Sequence, residues 1–114
     1  MTQFSRGEVY DVMPDPTVGK EIRKKRRCVI VSSDVLNAHA SLSIVCPLTE
    51  GLTLPPDVIH IAVPRGEGGT TRDSIILCDQ VKAVDQDRLA EKRGNLSAAT
   101  MKKIDRGLLT VLGF

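Results

Sequence analysis

The chain has 114 residues, 41% hydrophobic and 26% charged, with a formal net charge of +2. This length sets residues 1–114 as one domain and excludes a two-domain synthetase, kinase or dehydrogenase, while the mixture is that of a globular fold and not of a disordered chain. Three aromatics (Phe4, Tyr10, Phe114) and no Trp argue against a sheet that reads nucleic acid by stacking bases on rings.

In chain order, the segment from Met1 to Glu8 lacks the apolar stretch of a signal peptide, and no run approaches about 18 apolar residues. A cytoplasmic protein without a membrane partner is expected. Glu8-Val-Tyr-Asp-Val alternates as a first strand, and Met13-Pro-Asp-Pro-Thr-Val-Gly is a loop. Arg27-Cys-Val-Ile-Val-Ser is a continuous, β-branched apolar run, which marks a strand buried on both faces. Ser33-Asp-Val-Leu-Asn predicts a turn or helical stub. Leu42 to Leu48 is a third strand with Pro47 near its end, and Asp57 to Val63 a fourth, with His60 pointing outward. Arg65-Gly-Glu-Gly-Gly-Thr reads as a hairpin connection. It lacks the Lys-Ser/Thr of a phosphate-cradling loop. Ser74 to Val84 reads as one long, bent strand, followed by a helical turn at Asp85 to Ala90. The last segment changes period: Ser97 is an N-cap, and Met101, Ile104, Leu108 and Val111 make an amphipathic stripe, weakened at Gly107. Five or six short strands closed by one helix predict a mainly β fold, a small SH3-like barrel of antiparallel strands with a C-terminal amphipathic helix.

Cys28, Cys46 and Cys78 each sit in an apolar run with no metal-ligand spacing, so they are expected to be buried thiols with neither disulfide nor metal. The charge is unevenly spread. Residues 20–27 hold six basic residues and one acid, a net of +5, whereas the remainder holds ten basic and thirteen acidic residues, a net of −3. A weakly acidic body with one basic loop differs from a generally basic protein and marks the loop as the place for an anion.

That loop feeds the second strand, and Leu48-Thr49-Glu50-Gly51 ends the third. If the two strands are antiparallel neighbours, Arg26 lies beside Thr49, and Glu21 can fold back over the same spot. A guanidinium, a hydroxyl and a carboxylate fit metal-free RNA cleavage: the carboxylate accepts the 2′-OH proton, the guanidinium forks onto two phosphate oxygens and the hydroxyl holds a third. Arginine itself is a poor base. A solvated charge run, a turn-forming threonine and local charge balance at Glu21 are the competing readings, and a non-catalytic RNA- or DNA-binding module fits composition equally well.

Taken together, Arg6-Gly7-Glu8-Val9-Tyr10, Asp15-Pro16, Gly19-Lys-Glu21, Arg26, Cys28 to Asp34, Ile44-Val-Cys-Pro-Leu-Thr49, Arg72 to Leu77, Asp79-Gln80, Leu96-Ser97 and the closing Leu-Gly-Phe resemble, in order and spacing, the MazF/PemK-type toxins of bacterial toxin–antitoxin pairs. The resemblance implies an SH3-like barrel working as a homodimer, no cofactor or metal, and sequence-selective cleavage of single-stranded RNA, chiefly mRNA, to 2′,3′-cyclic phosphate and 5′-hydroxyl ends. Translation and growth would be inhibited until an antitoxin neutralises the protein. It also implies Arg26 and Thr49 as the catalytic pair, supported by Glu21, with Lys20, Arg23, Lys24, Lys25, Arg27 and Asp79 in RNA binding. Three departures stand out. The family's proline after the arginine is here Arg27, which leaves Arg27 as a rival to Arg26. The loop carries Ile22-Arg-Lys-Lys where glycine and glutamine are usual. A different branch pairs an arginine and an aspartate with a loop histidine; Asp79 matches that aspartate, but Leu77 stands in the arginine's place and the loop has no histidine. Fold analogy alone supports a further alternative, a non-catalytic toxin that poisons a gyrase-like enzyme.

Overall fold

The reason β2 (Arg26–Ile30) reads as an unbroken apolar run is that it divides its side chains between two cores. The computed structural model describes residues 4–14, 26–51 and 54–114. In it, β1 (Glu8–Val12) pairs antiparallel with β2, and β2 with the nine-residue β3 (Leu42–Glu50). Val9, Val29, Cys46 and Leu48 face one core, and Tyr10, Val12, Cys28, Ile30 and Val45 face the other. Between β2 and β3 lies α1 (Asp34–His39), capped by Ser33, whose hydroxyl accepts from the Leu36 amide. The buried Asn37 of this helix ties Ser32, Ser43 and Gln86 into one polar knot, so its burial leaves no unsatisfied amide.

Beyond β3 come β4 (His60–Val63), β5 (Ser74–Leu77), β6 (Lys82–Asp85) and β7 (Leu89–Asn95), giving seven strands in the order β4-β5-β3-β2-β1-β7, with β6 also on β3. All pairings are antiparallel, so the mainly β, antiparallel expectation holds. The long strand expected over Ser74 to Val84 is instead two strands separated by a 3-10 turn at Cys78–Gln80. Both run along the same edge of β3, β5 against Leu48–Glu50 and β6 against Leu42–Val45. Pro47 stands between those two ladders and has no N–H to donate. The fourth strand begins at His60 and not at Asp57, because the Asp57 carboxylate accepts from the Ile59 and His60 amides and closes a turn there. Strand β7 escaped the sequence reading because, apart from Leu89, its residues are mostly exposed and charged, and it lies at the end of the strand path.

Helix α2 (Ala98–Leu112) begins as expected at Ser97, whose hydroxyl accepts from the Thr100 amide, and lays Met101 and Ile104 on the first core, with Leu108 and Val111 partly buried beside them. Gly107 is a contact rather than a weak point: a Cβ there would stand 2.9 Å from both Cys78 Sγ and the Val58 carbonyl oxygen. All three cysteines are buried thiols. Among the described residues no helix is long and apolar enough to cross a membrane.

Candidate active site

Strand register decides which neighbours of the basic loop can work together. Arg27 pairs with Leu48 and Cys28 with Pro47, so one further step sets Arg26 against Thr49. Side chains alternate along a strand, which places Arg26, Cys28, Pro47 and Thr49 on one face of the sheet. Arg27, Leu48 and Glu50 are on the other.

The two adjacent arginines therefore have different surroundings. Arg27 is three-quarters buried. Its Nη1 donates to Glu50 Oε2 at 2.9 Å and to the Gly69 carbonyl at 3.2 Å, and its Nε lies 3.6 Å from Asp11 Oδ1. Asp11 is itself held by Arg93, at 3.0 and 2.5 Å. Glu50 also accepts from the Thr71 amide and hydroxyl. Those bonds, led by the Thr71 amide and aided by the Arg27 charge, hold its carboxyl below the usual range. This network locks the end of β3 to β2 and to the glycine-rich connection. Gly69 sits so close to β7 that a Cβ would overlap the Arg93 carbonyl at 2.2 Å.

Arg26 is exposed, and among the described residues it forms no ion pair. Beside it, Thr49 carries the one buried side-chain polar atom that lacks a hydrogen-bond partner among the described residues, its Oγ1. Such orphaned groups are rare and expensive in native proteins. The same face is electropositive. Burial pushes the Cys28 thiol up to about 11, even though Lys82, Arg26 and Arg88 all pull it down. The site thus offers a guanidinium and a hydroxyl, both without a polar partner among the described residues, side by side in a positive field, which suits an anion.

At the other end of this face stands a histidine between two aspartates. His60 Nδ1 is 3.1 Å from Asp57 Oδ2 and its Nε2 is 3.4 Å from Asp79 Oδ1. The Asp57 hydrogen bond, with both carboxylate charges, raises the imidazole above its ordinary value despite some desolvation.

Residues 5–112 match the family described as PemK-like, MazF-like toxins of type II toxin–antitoxin systems. The chain belongs to the PemK/MazF toxin family. It is 32% identical to the endoribonuclease MazF of Staphylococcus epidermidis over 108 residues, which is 95% of this chain and 90% of that protein. It is 30% identical over 103 residues to the endoribonuclease EndoA of Bacillus subtilis, covering 90% and 89%. Among solved structures, a mycobacterial endoribonuclease in complex with its cognate antitoxin superposes with a TM-score of 0.79 at 26% identity, covering 97% and 96% of the two chains.

Of the residues singled out from sequence in this MazF-like chain, the structure brings Arg26 and Thr49 together and directs Arg27 away from them. Glu21, Lys20, Arg23, Lys24 and Lys25 lie outside the described residues. Asp79 sits in the 3-10 turn after β5 and engages His60, a residue that looked isolated in sequence. The alternation of β4, which sets His60 opposite to Ile61 and Val63, turns it outward as expected from sequence, whereas Asp79 reaches it from a distant segment.

Proposed function

We propose that this protein, a MazF-like endoribonuclease toxin, cleaves single-stranded RNA at Arg26 and Thr49 without a metal ion and with sequence selectivity. The observation that carries the reading is the buried Thr49 Oγ1, without a hydrogen-bond partner among the described residues, set by register beside an Arg26 that forms no ion pair among them. In the reaction the ribose 2′-OH loses its proton and its oxygen bonds to phosphorus. The P–O5′ bond breaks and O5′ takes up a proton from water, leaving a 2′,3′-cyclic phosphate and a 5′-hydroxyl. Negative charge accumulates on the non-bridging oxygens in the transition state. A planar guanidinium meets two such acceptors and the threonine hydroxyl donates to one, in a setting already positive in potential. Glu21 is assigned the 2′-OH proton, since Arg26 cannot serve as a base. Lys20, Arg23, Lys24 and Lys25 attract the phosphate chain, and Asp79 accepts a hydrogen bond from a base or ribose hydroxyl of the RNA. Arg27 is reassigned from RNA contact to holding the strand ends, because its guanidinium is already engaged by Glu50 and Gly69.

The protein acts as a cytoplasmic homodimer, restrained by a cognate antitoxin. Support for the dimer comes from Leu109, Leu112 and Phe114, which are exposed at the end of α2 and offer apolar surface to a second copy. The acidic antitoxin segment would compete with RNA for the positive face.

The test is cleavage of a mixed-sequence RNA in EDTA with 5′ ends sequenced. The wild type should give 5′-hydroxyl ends at a restricted set of sequences. Arg26→Ala should lower the rate by at least about a hundredfold, and Thr49→Ala by a similar order. Full activity of a folded Arg26→Ala variant overturns the assignment.

A further inference from the structure

A second basic focus lies away from Arg26, where the edge strand β4 meets helix α2. A cavity of about 320 Å³ opens there, walled by Val58 and Ile61, with Asp57 and His60 on one side and Lys103 and Arg106 on the other. Lys103 and Arg106 are three residues apart on one helix, so they project from the same face one turn apart, and both are exposed. Among the described residues neither forms an ion pair. Val58 is half exposed, a large apolar side chain facing an open mouth.

We propose that this cavity is a nucleotide subsite for the RNA chain. The base lies against Val58 and Ile61, its exocyclic amino group donates to Asp57, and its phosphate meets Lys103 and Arg106. The inference rests on the RNA-cleaving reading above and adds to it a place where the substrate is held away from the scissile phosphate.

Position supports the assignment. Register sets Thr49 opposite Ile75 and Ile75 opposite Ala62, and His60 lies two residues further along β4 on that same face. With strands about 4.8 Å apart and about 3.3 Å per residue, His60 at the cavity rim is roughly 12 Å from Thr49; Ile61 and helix α2 line the cavity from the opposite face, so an RNA strand reaches it by passing over the edge strand β4.

Chemistry supports it too. Asp57 Oδ1 is occupied by the Ile59 and His60 amides, while Oδ2 takes only the His60 ring and, among the described residues, keeps acceptor capacity. His60 in turn bridges to Asp79, so the acceptor is a positioned one. A carboxylate at the cavity wall repels an acidic peptide but suits the amino group of adenine, cytosine or guanine, and uracil has no such donor. Two cations that form no close ion pair among the described residues, Lys103 feeling only the more distant charge of Glu67, suit the phosphate beside that base.

The experiment uses the full chain and a single-stranded oligonucleotide whose cleavage-site 2′-OH is methylated. Binding is titrated across salt concentrations for the wild type and for Lys103→Gln/Arg106→Gln. The double variant should bind about tenfold more weakly. The slope of log affinity against log salt should be shallower by about 0.7, the value for one phosphate contact on a single strand. With cleavable RNA, KM should rise and kcat should stay as it was, and Asp57→Ala should lose the preference for an amino-bearing base at one position near the cut. Unchanged affinity and salt slope in a folded double variant overturn the subsite. So does a variant that binds RNA normally but loses an acidic antitoxin peptide, or one that binds RNA normally and changes only its oligomeric state. If the wild type cleaves RNA and Arg26→Ala does not, those outcomes remove the subsite alone; a wild type that neither binds nor cuts RNA removes the reading beneath it.

Discussion

Two consecutive arginines separate by function because a strand sends successive side chains to opposite faces. Arg27 lies in the Asp11–Arg93–Glu50–Thr71 network and Arg26 lies on the face with Thr49. Removing Arg27 leaves Glu50 and the Gly69 carbonyl without a part-buried donor, a loss of about 1–3 kcal/mol. Arg27→Ala should therefore lower Tm by several degrees in a thermal melt. Any fall in its cleavage rate should be partly restored by conditions that stabilise the fold. Arg26→Ala, on an exposed side chain, should melt with the wild type. Equal Tm for both variants would contradict the division. Sequence chemistry alone named a guanidinium, a hydroxyl and a carboxylate as the working set, but it left Arg26 and Arg27 as rivals. Adjacent residues differ only by face, and face depends on register with a strand some twenty residues away. The same limit hid the link from His60 to Asp79, which only the β4–β5 pairing brings together, whereas Asp57 is a local partner three residues before it.

At the scale of elements, helix α2 is held by its N-terminal end and by one close approach. Glu67, in the glycine-rich connection, accepts from the Ser97 amide and hydroxyl just ahead of the helix. In the second half of α2, Gly107 lets the helix backbone approach Cys78 and Val58. Helix propensity alone would make Gly107→Ala stabilising by about 1 kcal/mol. The 2.9 Å contacts reverse the sign, because one of them is to a backbone carbonyl that cannot turn aside, and overpacking of this kind costs about 1–3 kcal/mol. The variant should unfold at lower urea, and an increase in the midpoint would show that the helix shifts at little cost. Its glycine was legible as a break in a helical pattern, yet the reason for it belongs to packing. Likewise α1, α2 and the strands that carry apolar runs were legible from period and capping residues. The break between β5 and β6 was not, since Ser74 to Val84 has apolar β-formers on both sides of Asp79-Gln80 and Pro47, on a different strand, stands where the two ladders part. Nor was β7, whose Ala-Glu-Lys-Arg carries no apolar alternation to read.

At the scale of the whole molecule, the small net charge conceals ionisable groups whose shifts have opposite consequences for stability. Glu50, Asp57 and Glu67 all titrate lower in the folded protein. Glu50 is held down first by the Thr71 amide and Asp57 by the Ile59 amide, while at Glu67 the bonds from Thr100 and Ser97 outweigh its burial. Their ordinary values are 4.5, 3.8 and 4.5. Their stabilising contribution is complete above those values and disappears as pH falls through the lower folded ones. His60 is the reverse case. Its ordinary value is 6.5 and its folded value is higher, chiefly through the Asp57 hydrogen bond. The charged ring between Asp57 and Asp79 therefore stabilises fully below 6.5, and that contribution is lost as pH rises through the folded value. Lys103 and Arg106 border the same cavity and oppose that protonation without reversing it. Tm measured from pH 3 to 9 should thus be highest between about pH 5 and 6.5 and fall on both sides. His60→Gln should remove the alkaline decline and keep the acid one. An unchanged alkaline limb in that variant would place the titrating group elsewhere. Because His60 also steadies Asp57 at the cavity wall, the wild type should lose RNA affinity over the same alkaline range in which it loses stability, and His60→Gln should show neither loss.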